Sequence, residues 1–208
     1  MELIIKQLEK SISAEIGKKF TLDRDGISQW LLNKNLIGNN ECVICFTDLK
    51  PWTRTGGETY STVFEFETTE RRRKIFVKAI VTQNPEKSLQ DWTRRRNLLK
   101  KNNIPTSNWY WSGEATIFEE YYPHDNKLCD PLLLMEIGYQ LDKLGFTTLK
   151  FIDDIRCDVN HQPYYVDFGF DLGEPSQHPQ MSAFNHFVLK FPELSDELNK
   201  LYHIKGNY

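Results

Sequence analysis

The sequence predicts an α+β chain of two lobes, with strands gathered in the first and helices in the second. Three observations predict it. Strand-like runs crowd the stretch from Glu41 to Thr82, and "TYSTVFEFETT" mostly alternates between its two faces. "DPLLLMEIGYQLDKLGF" carries every sign of a long amphipathic helix. Between and after them the order runs helix, strand pair, long helix, short hairpin, helical tail. The expected division is an N-terminal helical segment over 1–38, a β-rich lobe over 39–120 and a reduced helical lobe over 121–208.

The elements follow in order. Ile4, Leu8, Ile12 and Ile16 recur four apart, with Ile5 beside them, and predict a helix over 2–17. A second helix starts at an N-cap, Asp25 or Ser28, carries Trp30, Leu31 and Leu32, and stops at Gly38. "ECVICFTDL", "TYSTVFEFETT" and "RKIFVKAIVT" read as strands, with "TTERRR" as the hairpin turn between the last two. Pro85 opens the next helix, and Asn102, Asn103 and Pro105 close it. "SNWYW" and "ATIFEEYYP" form a further strand pair. Asp130 caps the long helix, Pro131 sits at its first position and Gly145 ends it. "IRCD" and "PYYVD" make a short hairpin around "VNHQ". Phe184, Phe187, Val188, Leu194, Leu198 and Leu201 give the tail, 180–203, a helical stripe.

Composition removes several classes. The chain has 208 residues, 39% of them hydrophobic, and a net charge of −3, a balance that points to no polyanionic partner. No apolar run reaches membrane-spanning length, and charges interrupt "MELIIKQLEKSISAEIG", so neither a membrane span nor a signal peptide is expected. The expected compartment is the cytoplasm. Cys42, Cys45, Cys129 and Cys157 do not make a disulfide scaffold, and Cys42 and Cys45 form one C-x-x-C with no second pair to complete a zinc site. The five histidines, at 124, 161, 178, 186 and 203, lack ligand spacing, and no hydrolase motif is present. Arg71–Arg73 and Arg94–Arg96 read as solvated turn and helix faces rather than as a nucleic-acid surface.

The chemistry-bearing residues sit late in the chain and on one strand. "PYYVDFGFDL" ends a β-prone run in Asp167-Phe168-Gly169, where a carboxylate at a strand end can reach a cation and glycine lets the backbone turn. Asp153 and Asp154 lie across the hairpin from it. Lys78, in "KIFVKAIV", shares a face with Phe76 and Ile80 while Val77 and Ala79 point the other way. An ammonium on an apolar face needs an anionic partner.

This order resembles the protein-kinase-like fold, and more closely its small phosphotransferase branch of aminoglycoside and lipopolysaccharide kinases. The likeness rests on "LDKLGF…IRCDVNHQPYYVDFGFDLG" and "RRRNLLKKNNIPTSNWYWSGEATIFEEYYP", and covers roughly 50–175. It implies a two-lobed kinase-like fold with a β-rich N-lobe and a reduced helical C-lobe, acting on ATP with Mg²⁺. Asp167 would be the magnesium ligand of the family's Asp-Phe-Gly, and Asp154 would replace the Asn that holds the second ion. Lys78 looks like the strand lysine that holds the α/β-phosphates. Gly56, Gly57 and Ser61 fall where the Gly-rich phosphate loop belongs, and Glu119, Glu120 and Tyr121 at the hinge that holds adenine. Glu86 and Asp91 are the helix acids that could pair with Lys78.

Two departures are plain. The family's catalytic Asp sits five residues before its Asn, and that position here is Leu149, leaving Asp153 as the substitute base. Only 39 residues follow Gly169, too few for a full substrate platform, so a protein partner could complete the C-lobe. The expectation is an ATP- and Mg²⁺-dependent phosphotransferase, with a degenerate, partner-binding pseudoenzyme as the alternative.

Overall fold

The structure, a computed structural model, describes residues 2–38, 47–52, 59–67, 72–148, 152–169, 172–173, 183–197 and 199–200. The fold is mixed α+β. In chain order the elements are α1 (Glu2–Ile16), α2 (Arg24–Asn33), β1 (Thr47–Trp52), β2 (Thr59–Glu67), β3 (Arg72–Ile80), α3 (Pro85–Lys101), β4 (Trp109–Gly113) and β5 (Thr116–Glu120). Then come β6 (His124–Asp125), α4 (Pro131–Lys143), β7 (Thr147–Thr148), β8 (Ile155–Cys157), β9 (Pro163–Tyr165), β10 (Leu172–Gly173) and α5 (Ala183–Lys190). The chain divides into two units, Met1–Asp91 with Asn108–Tyr121, and Trp92–Ser107 with Tyr122–Tyr208. The division therefore cuts α3 after Asp91 and falls again after Ser107 and after Tyr121.

Unit one is a five-stranded antiparallel sheet, in the order β1-β2-β3-β5-β4, with α1 and α2. Strand alternation puts Ile75 and Val77 on one face, and register places Phe118 directly opposite Val77. Against that face pack Leu8 and Ile12 of α1 with Ile27, Trp30 and Leu31 of α2, all essentially buried. Trp30 meets Trp111 edge to face at 5.0 Å and Phe118 at 5.2 Å. Such ring pairs add about 0.5–1.5 kcal/mol each beyond the area they bury. Ile16, the last member of the α1 stripe, is exposed, since the helix ends there.

Three helices stop by the same device. The residue after the C-cap turns left-handed: Asn35 (φ 55°), Asn103 (φ 62°) and Gly145 (φ 76°). Its N–H reaches back three residues and the next N–H reaches back five: Asn35 to Leu32 and Leu36 to Leu31, Asn103 to Lys100 and Ile104 to Leu99, Gly145 to Asp142 and Phe146 to Leu141. These are Schellman closures, which asparagine and glycine tolerate best. They correct two expectations for α2. It ends at Asn33 instead of Gly38, and its N-cap is Asp23, whose carboxylate accepts from Gly26 N at 2.8 Å. Asp25 lies inside the first turn, where it favours the helix dipole without capping.

The β4–β5 hairpin turns through Glu114 (φ 36°) and Ala115 (φ 64°), a conformation disfavoured for any residue with a Cβ. Helix α1 holds it: Gln7 Nε2 and Ser11 Oγ both donate to the Glu114 carbonyl, at 2.9 and 2.8 Å. The preceding Gly113 is required by packing, because a Cβ there would come within 2.7 Å of the Trp111 ring.

Unit two is built on α4 and α5, with a three-stranded sheet, β6-β8-β9, and the pair β10-β7. Asp130 caps α4 by accepting from Leu132 N, and Pro131 opens it, as the sequence predicts. Asp142, from the far end of α4, accepts from Ala183 N at the start of α5. The β8–β9 hairpin forms around 159–162, where Asp158 accepts from Asn160 N and Gln162 N. The expected tail helix is broken: α5 ends at Lys190, Phe191 leaves the helical conformation, and Pro192 opens a short 3-10 turn. Cys129 and Cys157, 28 residues apart, are joined as a disulfide, with Cα atoms 5.8 Å apart.

The solvated-face reading of Arg94–Arg96 holds for exposed Arg94 and fails for its neighbours. Arg96 is buried in line with Trp92 and Leu99, and its Nε and Nη2 both donate to the Ser107 carbonyl. Arg95 bonds two further carbonyls, described below. Helical period decides this, since Trp92, Arg96 and Leu99 share one face of α3. The Cys42–Cys45 pair and the "TTERRR" turn apart from Arg72 and Arg73 lie outside the described residues. Among those described, no helix is long and apolar enough to cross a membrane.

Candidate functional site

The candidate side chains form two groups, one in each unit. In unit one, Lys78 stands on β3, on the face opposite Ile75 and Val77. Register pairs Lys78 with Ile117 and Phe76 with Glu119, so Glu119 is its diagonal neighbour on the same face. Lys78 Nζ lies 2.7 Å from Glu119 Oε1, with both side chains almost wholly buried. The other carboxylate oxygen, Oε2, accepts from Trp109 Nε1 at 3.1 Å. The Phe76 ring lies under the ammonium, 5.5 Å from it. A buried ion pair survives only when its remaining hydrogen-bonding capacity is used, and the indole serves that purpose.

The resemblance implies an adenine-holding hinge at Glu119, through backbone groups, and a helix acid, Glu86 or Asp91, beside Lys78; the sheet itself supplies a partner acid in the Glu119 side chain. Tyr121, the other hinge residue, is half-buried and carries the Lys74 ammonium over its ring at 5.5 Å. Register pairs Ser61 with Lys78 across β2 and β3. Gly56 and Gly57 lie outside the described residues.

In unit two, Asp153 and Asp154 directly precede β8 and Asp167 follows β9, so all three belong to the chain segments at the open end of that hairpin. Val166 N donates to the Asp154 carbonyl at 2.9 Å, which extends the ladder by one bond and brings the two chain segments together. Asp154 is 1% exposed, and Tyr165 Oη donates to its Oδ2 at 3.2 Å. Asp167 is half-buried, and its Oδ1 accepts from Gly169 N at 3.0 Å. Asp153 is more open and lies 3.8 Å from Lys190 Nζ of α5.

The turn that presents these acids is held from both sides. His186 Nδ1, on α5, accepts from Ile152 N at 3.2 Å, and Asn126 Nδ2 donates to Ile152 O at 2.8 Å. An accepting Nδ1 requires the neutral ring with its proton on Nε2. Burial holds the His186 pKa below its ordinary 6.5, Asp153 pulls it up and Lys190 pushes it down. The sequence assigns no positioning role to Tyr165, to Arg95 in its solvated run, or to His186 among the histidines without ligand spacing. Their one visible signal is that each is a polar or amphipathic group on the buried stripe of its element.

The donor chemistry suits a magnesium ion. Mg²⁺ is typically held by one or two carboxylates together with phosphate and water oxygens; Asp154 and Asp167 are the carboxylates that could hold it here. Among the described residues no group of three or more His, Cys, Asp or Glu could serve as a closed metal cage. Comparison with protein-family models and with curated proteins found no match for the chain.

Proposed function

We propose that the chain is a two-lobed, kinase-like phosphotransferase that uses ATP and Mg²⁺. The observation that carries this reading is the surroundings of the Asp-Phe-Gly triplet. Asp154 enters β8 and Asp167 leaves β9 of one hairpin, thirteen residues apart in sequence, with a backbone bond closing the end between them. That spacing and that hairpin are what the family resemblance requires of its two metal-holding residues.

Lys78 supports the reading from unit one. It lies on the third strand, ahead of a helix, as the family's lysine does. Its ammonium binds phosphate charge, and Glu119 sets where that ammonium stands. Asp153, the least buried of the three acids, accepts the proton of the phosphoryl acceptor. When bound, the magnesium nucleotide supplies the transferable phosphoryl group and neutralises charge on it. One observation favours a second reading, a nucleotide-free pseudoenzyme: Asp154 is nearly closed to solvent and already holds the Tyr165 hydroxyl.

Thermal shift decides between them. ATP with Mg²⁺ at a hundred times its Kd stabilises a binder by about 2.7 kcal/mol. The expected result is a nucleotide-dependent rise in Tm that needs Mg²⁺ and disappears in both Lys78→Met and Asp167→Ala. Absence of any shift at about 1 mM nucleotide overturns the phosphotransferase reading. Release of ADP, measured in the same samples, separates a catalyst from a binder.

A further inference from the structure

We infer that Arg95 is a positioning residue for the Asp167 carboxylate, acting through a single peptide group. Arg95 rises from the second half of α3 and its Nη1 donates to Phe168 O at 3.0 Å and to Gly169 O at 2.6 Å. The Phe168 carbonyl and the Gly169 N–H belong to the same peptide plane. In a trans peptide these two groups point in opposite directions. One side of that plane is therefore held by the guanidinium, and its other side donates to Asp167 Oδ1.

The geometry makes the two bonds interdependent. If the peptide between Phe168 and Gly169 rotates, the carbonyl leaves Arg95 and the N–H leaves Asp167 together. The second bond, to Gly169 O, fixes the next plane as well, so the segment is held at two successive peptides. A charged donor to a carbonyl is among the stronger hydrogen bonds. The Phe168 side chain, 1% exposed and near the Tyr165 ring at 5.8 Å, anchors the same residue from its other end. Asp167 is thus aimed by α3 rather than by its own strand, which has already ended at Tyr165.

The inference rests on the phosphotransferase reading only for its consequence in catalysis, and the test keeps the two apart. The first measurement is amide hydrogen exchange at Gly169 in the ligand-free protein. Arg95→Ala should speed it by about tenfold or more. Asp167→Asn, which retains an oxygen acceptor, should leave it close to wild type. If Arg95→Ala does not fold, Arg95→Lys, with its charge and one donor in place, carries the same test with a smaller increase. Unchanged exchange at Gly169 in whichever of the two variants folds overturns the inference. The second measurement is the Mg²⁺ concentration needed for half-maximal ATP binding. It should rise in Arg95→Ala and Arg95→Lys in the order of their exchange rates, whereas a purely structural role would lower Tm and leave it unchanged. A wild-type protein that binds no ATP sinks the phosphotransferase reading and leaves the exchange result to decide the role of Arg95.

Discussion

The two groups of candidate residues, one in each unit, are held in different ways. Lys78 and Glu119 stand on strands β3 and β5, in the middle of a five-stranded sheet, where register alone fixes their separation. Asp154 and Asp167 flank strands of three residues each, too short to fix much by pairing. Their placement depends on individual bonds from Tyr165, Val166, Gly169, His186, Asn126 and Arg95, several of them to backbone atoms. A long ladder positions a side chain through many weak, repeated contacts. A short hairpin does so through a few specific ones, each of which one substitution removes.

That contrast can be broken or sharpened by experiment. The largest effect is expected in the sheet. Glu119→Gln takes a buried negative charge away from the Lys78 ammonium and should destabilise unit one by about 3–5 kcal/mol, measured by urea denaturation. Lys78→Met combined with Glu119→Leu should recover most of that loss, because the desolvation penalty goes with the charges. A loss below about 1 kcal/mol would mean that the pair behaves as a solvated one, and the contrast fails.

The disulfide comes next. It closes a 28-residue loop that contains α4 and the turn carrying Asp153 and Asp154. Removing it with Cys129→Ser and Cys157→Ser should cost about 3–4 kcal/mol by loop entropy. Equal urea midpoints for this variant and the wild type would show the hairpin to be held by its side-chain bonds alone.

The smallest effect is that of pH. His186 titrates below 6.5 in the fold, so the unfolded chain binds its proton first as pH falls. Its contribution is present above 6.5 and is lost as pH drops through the folded value. His186→Asn keeps an acceptor for Ile152 N without a titrating ring. Between about pH 7.5 and pH 5 its Tm should fall less than that of the wild type. Parallel curves would remove His186 from the set of groups holding the turn.

What could be read from sequence follows the same contrast. β2 and β3 show their two-residue period, and α4 shows its cap, its proline and its closing glycine, because each is local. The start of α2 was misplaced because Asp23, Asp25 and Ser28 are all good capping residues within six positions. The pairing of Lys78 with Glu119 on β5 is visible only once β3 and β5 are known to be neighbours, a non-local fact. β6, β7 and β10, of two residues each, are too short to show any period. Arg95 and Arg96 were read as surface because arginine usually is, and the Cys129–Cys157 bond joins positions that only the folded chain brings together. Of the candidate site, the residue types were legible, and what holds them was not.

The grip of α1 on the β4–β5 turn carries a consequence for how this protein is made. Gln7 and Ser11 reach partners more than a hundred positions downstream. A ribosome adding about 5–20 residues per second needs roughly 5–20 s to deliver Glu114 after α1 has emerged. Through that interval Leu8 and Ile12 have no finished sheet to cover, and the nascent chain offers their apolar stripe to whatever chaperone waits at the tunnel exit.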